Sequence, residues 1–362
     1  MTKLPSLLPS CVVSLLSATS FHTPSASGLA FSPQQLMPQN FQLPNPFNPP
    51  SKKSTFTYTH LECNGQLWQI STPASNNNNN DKPLSIVVDP LASQLDFGIP
   101  WGYRANKRVL SESSTLALLR DASPTHCLLT MGLDDHTHLP TLKKLKEACP
   151  DLNYVVAPTC EKKLLEAGFD ERKITVLRHG QSCDLRLTED DEKNDAADSR
   201  ARVTATVGAL VGPPWQTREN GYLLQLPASS SSSSLSIYYE PHADTLLPSL
   251  RQNSLRAQIV ISPVTRQSLP ARVPSSGQYT LVYGGERTLE IGEALSAKVF
   301  IPLGNGALDV EGPLAGLVEA SGGVDDFERL VEERNARVVN HGAGAVMTVK
   351  RAEPGTPVEI MI

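Results

Sequence analysis

Beyond about residue 54, apolar and polar positions fall into short repeating patterns that divide the chain into strands and helices. Residues 55–61 (Thr-Phe-Thr-Tyr-Thr-His-Leu) alternate as a strand. Asn64-Gly65 offers a tight turn into a second strand at 66–71, so a hairpin opens the folded part. Residues 84–88 form an apolar strand that ends at Asp89-Pro90, and a short helix over 113–120 precedes a strand at 126–130. The step then repeats, with a helix over 139–148, a strand from 154, a helix over 160–167 capped by Thr159, and a strand at 173–177. Residues 184–200 are rich in acids without a periodic apolar face and read as a solvated loop.

The second half restarts with strands at 202–207, 221–226 and 236–239 and a helix over 245–250. Strands and helices go on alternating through 257–262, 279–283, 290–295 and 298–303. A strong helix begins at Val324 and runs to Arg334, with Asp325 and Asp326 in its first turn, and Val338-Val339 and 345–349 read as closing strands. Each half thus begins with antiparallel strands and finishes with alternating strands and helices. That order predicts an α/β (α+β) fold built as a four-layer αββα sandwich, two sheets face to face with helices outside.

Composition changes this picture mainly at the ends and in the inserts. Residues 1–50 form a separate segment: a broken apolar stretch after Lys3, interrupted by Pro5 and Pro9, then a Ser-, Pro-, Gln- and Asn-rich tail with no acid up to Pro50. This resembles a signal-plus-transit address of the kind that directs algal proteins to the plastid, with a cytoplasmic protein carrying a disordered N-terminus as the alternative. The Asn tract at 76–80 and the Ser tract near 229–234 read as inserts in a domain spanning 54–352. The net charge of −5 and the lack of a basic, aromatic-laced surface argue against a nucleic-acid partner. No window is long and apolar enough for stable membrane insertion. Six cysteines without a Cys-x-x-Cys pair argue against a zinc ribbon or redox dithiol and suit free thiols.

Chemistry concentrates where the strand at 126–130 runs into Met131-Gly132-Leu133-Asp134-Asp135-His136, since polar side chains at a strand's C-terminal edge project into a crevice. The strand ending at Asp89-Pro90, this acidic, histidine-bearing junction and Tyr239-Glu240-Pro241-His242-Ala243-Asp244-Thr245 together resemble the metallo-β-lactamase superfamily. The resemblance implies a metal motif His-x-His-x-Asp-His. Laid on this chain, the motif has Met131 and Leu133 in place of the first two histidines, and only Asp135 and His136 carry over. Leucine has no donor atom and a methionine thioether suits zinc poorly, so no conventional first metal site is expected. The family's later histidines have no counterpart in residues 208–215 or 300–306, and His341 lies too far along to match.

Two functions remain open at this stage. One is a hydrolase with a single divalent metal (zinc, iron or manganese) on Asp135, His136 and His242, with water in the open position, acting on an ester or amide. The other is a non-catalytic relative that has lost its metal and binds a small molecule or protein through the same crevice, with Asp135 and His136 capping the next helix and satisfying each other. The stretch Gly212-Pro213-Pro214-Trp215-Gln216-Thr217-Arg218-Glu219-Asn220-Gly221 resembles a cyanobacterial and plastid branch of the superfamily that also lacks the early histidines. It offers Trp215 as an apolar wall and Arg218 as an anion clamp for substrate. The plainer alternative is a hairpin whose Trp215 plugs the core and whose Arg218 and Glu219 pair with each other. His60, His126, His138 and His179 read as packing, boundary or surface residues, and Gly284-Gly285 as a turn.

Overall fold

The computed structural model describes residues 54–71, 83–186, 200–212, 215–226, 234–269, 279–304, 307–341 and 345–361. The proposed targeting segment, the Asn and Ser tracts and most of the acid-rich stretch lie outside these residues.

In chain order the first half contains β1 (Thr55–His60), β2 (Gln66–Ser71), β3 (Leu84–Val88), β4 (Arg104–Asn106), α1 (Glu112–Ala122), β5 (His126–Leu129), α2 (Leu139–Ala148), β6 (Asn153–Val156), α3 (Pro158–Glu166) and β7 (Ile174–Val176). The middle of the chain adds β8 (Ser182–Arg186), β9 (Arg200–Val207), β10 (Asn220–Leu226), β11 (Leu235–Tyr239), α4 (Leu247–Gln252), β12 (Ile259–Pro263), β13 (Arg266–Leu269) and β14 (Tyr279–Val282). The last part comprises α5 (Gly285–Leu295), β15 (Val299–Leu303), β16 (Asp309–Glu311), β17 (Glu319–Ser321), α6 (Val324–His341), β18 (Thr348–Val349) and β19 (Pro357–Met361).

Two seven-stranded sheets carry the architecture, one in the order β19-β1-β2-β3-β5-β6-β7 and the other β18-β15-β12-β11-β10-β9-β8. Side-chain alternation along each central strand explains why they stack. Ile86, Val88 and Leu128 face Tyr222, Leu224, Tyr239, Ile259 and Ile301 in the core between the sheets. Their neighbours Val87, Cys127 and Leu129 point the other way, onto Leu119 of α1, Leu142 and Leu145 of α2, and Leu164 of α3. On the far sheet Leu223, Tyr238, Val260 and Phe300 likewise meet α4, α5 and α6 through Leu250, Ile291, Leu295 and Phe327. Strands buried on both faces read as near-continuous apolar runs, and helices must cover them. The result is the four-layer αββα sandwich expected from the sequence.

Several boundaries differ from expectation. The helix after β6 starts at Pro158 rather than Cys160, because proline suits the first helical turn, and its cap is Ala157, not Thr159. Asp184 lies within β8, paired with Arg202 of β9, rather than in a loop. Residues 285–295 form one helix, α5, in which Gly285 is the first residue. Val338 and Val339 are not a strand; they continue α6, and Val339 is exposed. Beyond the expected end at 352, β19 adds antiparallel to β1, from Thr55↔Met361 to Thr59↔Pro357. Among the described residues no helix is long and apolar enough to cross a membrane.

Candidate functional site

The C-terminal ends of the parallel strands β3 and β5 meet the end of β11 from the other sheet, and the residues singled out by the motif gather there. Asp89, immediately after β3, takes a left-handed backbone (φ 41°) that aims its buried carboxylate across the crest. One oxygen, Oδ1, accepts from the Thr130 peptide N–H at 2.9 Å. The other accepts from Thr130 Oγ1 at 2.6 Å, Tyr239 OH at 2.9 Å and His136 Nδ1 at 2.8 Å. A carboxylate holding Nδ1 of a histidine fixes the ring and turns Nε2 outward, the arrangement that supports a metal-binding imidazole.

The turn carrying His136 is held by its backbone. His136 and Thr137 donate to Leu133 O at 3.1 and 2.7 Å, and Thr137 Oγ1 donates to Met131 O at 2.6 Å. Gly132 permits the close approach to α3, since a Cβ there would stand 2.5 Å from Thr159 O. Its two acids diverge. Asp134 pairs with Lys163 of α3, whereas Asp135 turns toward His136, with Oδ2 3.3 Å from Nε2. Met131 is fully buried and Leu133 half-buried.

Burial alone would strip the proton from His136, but the charges of Asp135 and Asp89 outweigh it and push its pKa up to about 10. Asp135 is the counterpart: burial would raise it, and the His136 charge brings it down to about 2. The centre is therefore an imidazolium between two carboxylates. His242 lies beside it, its ring centroid 5.4 Å from that of His136 and tilted by 34°. Burial and the His136 charge together hold His242 neutral, with a pKa lowered to about 3. The turn bearing His242 is clamped by Glu240, which accepts from the peptide N–H groups of His242 and Asp244 at 3.2 and 2.8 Å. Asp135, His136 and His242, expected as metal ligands, are thus neighbours.

Asn64, which the sequence offered only as a turn residue, completes the cluster. The hairpin between β1 and β2 is anchored by Glu62, whose carboxylate accepts from three successive peptide N–H groups, Arg108, Val109 and Leu110. Asn64 Nδ2 lies 3.1 Å from His136 Nε2 and 3.4 Å from Asp135 Oδ2. An imidazolium Nε2–H prefers the amide oxygen, and a neutral Nε2 prefers the amide nitrogen. Whichever end faces the ring, the amide stands against both His136 Nε2 and Asp135 Oδ2, which are 3.3 Å from each other.

The donor set of two imidazoles and a carboxylate has the right chemistry for zinc, and Asp135 Oδ1 and His242 Nδ1 are buried without a hydrogen-bond partner. The geometry does not match that chemistry. Among the described residues no group of three or more His, Cys, Asp or Glu side chains is arranged to hold a metal ion. With the Asn64 amide already partnering two of the three candidates, the described residues as arranged do not fit one.

At the second candidate feature the plainer alternative, a hairpin with Trp215 in the core and Arg218 paired to Glu219, does not hold. Trp215 does not plug the core; it is 71% exposed. Arg218 pairs with Asp244 rather than Glu219, reaching Oδ2 at 3.2 Å, and also donates to the carbonyls of Gly208 and Asp244. Glu219 instead accepts from Thr159 Oγ1 at 2.7 Å, and burial raises its pKa to about 7. Arg218 therefore ties the 208–220 hairpin to the end of β11. The other histidines are placed elsewhere: His138 sits just before α2 against Thr141 Oγ1, His60 is buried with Nε2 3.3 Å from Cys63 O, and His179 faces Glu219 O.

Comparison with known proteins agrees with this scaffold. Residues 78–304 match the profile of the Beta-lactamase superfamily domain. Similar solved structures include Igni18, a metallo hydrolase from the hyperthermophilic archaeon Ignicoccus hospitalis, at 13% identity and a TM-score of 0.48, over 84% of this chain and 98% of that one. Another is the isothiocyanate hydrolase from Delia radicum gut bacteria, also at 13% and 0.48, over 83% and 98%. No curated protein matches the sequence. The profile spans more than half of the 362 residues, including the central strands of both sheets and the Asp89, Asp135, His136 and His242 positions, and the chain belongs to the metallo-β-lactamase superfamily.

Proposed function

We propose that this protein keeps the superfamily's hydrolase-like scaffold but uses the crevice at the ends of β3, β5 and β11 to bind a small molecule, without metal-dependent hydrolysis. One observation carries the reading: the Asn64 amide stands 3.1 and 3.4 Å from His136 Nε2 and Asp135 Oδ2, so these two atoms already have a partner within the protein. The imidazolium of His136, flanked by Asp89 and Asp135, supplies the positive charge that a metal provides in a metalloenzyme site. Trp215, exposed on the neighbouring hairpin, is the proposed apolar contact for a ligand, and Arg218 holds that hairpin in place.

The alternative is a one-metal hydrolase on Asp135, His136 and His242. It is favoured by the two unpartnered buried atoms Asp135 Oδ1 and His242 Nδ1, and it requires Asn64 to swing away. Dialysis of the full chain against EDTA separates the two. A ligand that binds only the folded state raises stability in proportion to the logarithm of its saturation, so a chelator lowers the melting temperature of a metalloprotein. An unchanged melting temperature and no metal-restored cleavage of p-nitrophenyl esters are expected. A fall in melting temperature reversed by zinc, together with zinc-restored ester cleavage, would establish the hydrolase.

The composition of residues 1–50 supports a further proposal, delivery to the plastid, which a fluorescent fusion of that segment tests.

A further inference from the structure

We infer that the groove between α5 and α6 is the contact face of a two-fold dimer, filled by the same two helices of a second copy of this chain. The helices lie side by side and point the same way. A Cβ on Gly285 would stand 3.1 Å from Phe327 Cδ2 near both starts, and Glu293 reaches Arg334 at 3.2 Å further along. Between them lies an open groove of about 370 Å³, with Leu289, Leu330 and Val338, all half-buried, in its lining. Val339, next to Val338, is 68% exposed.

Charge selects the occupant. Five charged residues line the groove, and three are engaged within the chain: Glu290 with Arg287 at 2.6 Å, and Glu293 with Arg334. Glu286 and Arg337 remain. Both are exposed, and among the described residues neither side chain has a hydrogen bond or an ion pair. Glu286 is in the first turn of α5, and Arg337 lies about one turn beyond Arg334 in α6. At 1.5 Å per residue the two stand about 15 Å apart along the helices, an acid at one end and a base at the other.

A two-fold contact uses the same patch on both copies, so the patch must complement itself. An axis crossing the helices near the middle of the groove reverses one copy against the other and brings each Glu286 toward the partner's Arg337. The apolar middle then meets its own copy, and two pairs of helices pack antiparallel, as in a helix bundle. A wholly acidic or wholly basic partner would be repelled at one end. Apolar burial supplies the affinity, while the two exposed ion pairs contribute little individually and set the orientation, since like charges placed opposite each other are strongly disfavoured.

Sedimentation equilibrium of the full chain from about 1 to about 100 µM tests this, with Glu286→Arg, Arg337→Glu and the double variant beside wild type. The wild-type mass is expected to rise from one chain to two, with a micromolar dissociation constant. Each single substitution sets like charges opposite each other twice per dimer and should weaken association about tenfold or more; the double variant restores opposite charges and should return to within about threefold of wild type. Thermal melting at the lowest concentration should show every variant folded, because neither side chain has a partner within the chain to lose. A wild-type chain that stays monomeric up to about 100 µM would overturn the inference without any variant. Folded single variants that dimerise as tightly as wild type, or a double variant no tighter than either single one, would overturn it as well.

Discussion

Replacing Arg218 by alanine distinguishes a ligand contact from a tie between the 208–220 hairpin and β11. The guanidinium donates to Gly208 O, Asp244 O and both Asp244 carboxylate oxygens, and the two side chains are only 22% and 13% exposed. Without it, the Asp244 carboxylate keeps the peptide N–H of Leu210 at 2.9 Å, and the Gly208 carbonyl loses its charged donor. A charge-assisted hydrogen bond contributes about 1.5–3 kcal/mol, and partial exposure discounts the ion pair, so the loss should be about 2–3 kcal/mol. Since 1 kcal/mol moves the melting temperature of a domain this large by about 2–4 °C, Arg218→Ala should melt about 4–12 °C lower, with the urea midpoint reduced and the slope unchanged. Arg218→Lys should recover less than half of this, because a single ammonium cannot span the carboxylate and two carbonyls at once. An unaltered melting temperature with weakened ligand binding would refute the reasoning and make Arg218 a ligand contact.

Two further substitutions probe the sandwich itself. In Gly292→Ala the new Cβ would stand 2.2 Å from Phe300 Cζ, in a ring packed edge-on against Phe327, so overpacking should exceed the gain in helix propensity and cost about 1–2 kcal/mol by urea denaturation; stabilisation would contradict this packing. Burial lowers the pKa of His126 from 6.5 to about 4. The unfolded chain therefore binds more protons between those values, and this contribution to stability, full above pH 6.5, is lost as the pH falls toward 4. It amounts to about 3 kcal/mol at most, and a pH series of denaturation midpoints on wild type and His126→Gln should differ only in that window.

The two-sheet architecture was legible in the sequence because β3, β5, β10, β11, β12 and β15 are apolar on both faces, and only helices on the outside can cover such strands. Local patterns failed where a distant partner decides the outcome. The segment Pro357-Val358-Glu359-Ile360-Met361 has one well-buried side chain, Ile360, and becomes a strand because β1 offers it an edge from the far end of the chain. Val338-Val339 has β-branched residues but follows about four turns of α6 and simply prolongs them. The same holds at the site. Asp135 and His136 could be found because a contiguous motif names them. Asn64 and the role of Asp89 could not, because they reach His136 from 72 and 47 residues away and only the folded crest joins them. The one hint was that an Asn-Gly turn and an Asp-Pro strand end belong to adjacent strands of the same sheet.

The account turns on whether the His136 imidazolium and the Asn64 amide replace a metal. Elemental analysis of the full chain, purified without chelator from zinc-, iron- and manganese-supplemented medium, alongside Asn64→Ala, tests this most directly. The account predicts far less than one equivalent of any of the three metals in the wild-type protein. About one equivalent per wild-type chain, lost in His136→Ala, would contradict it.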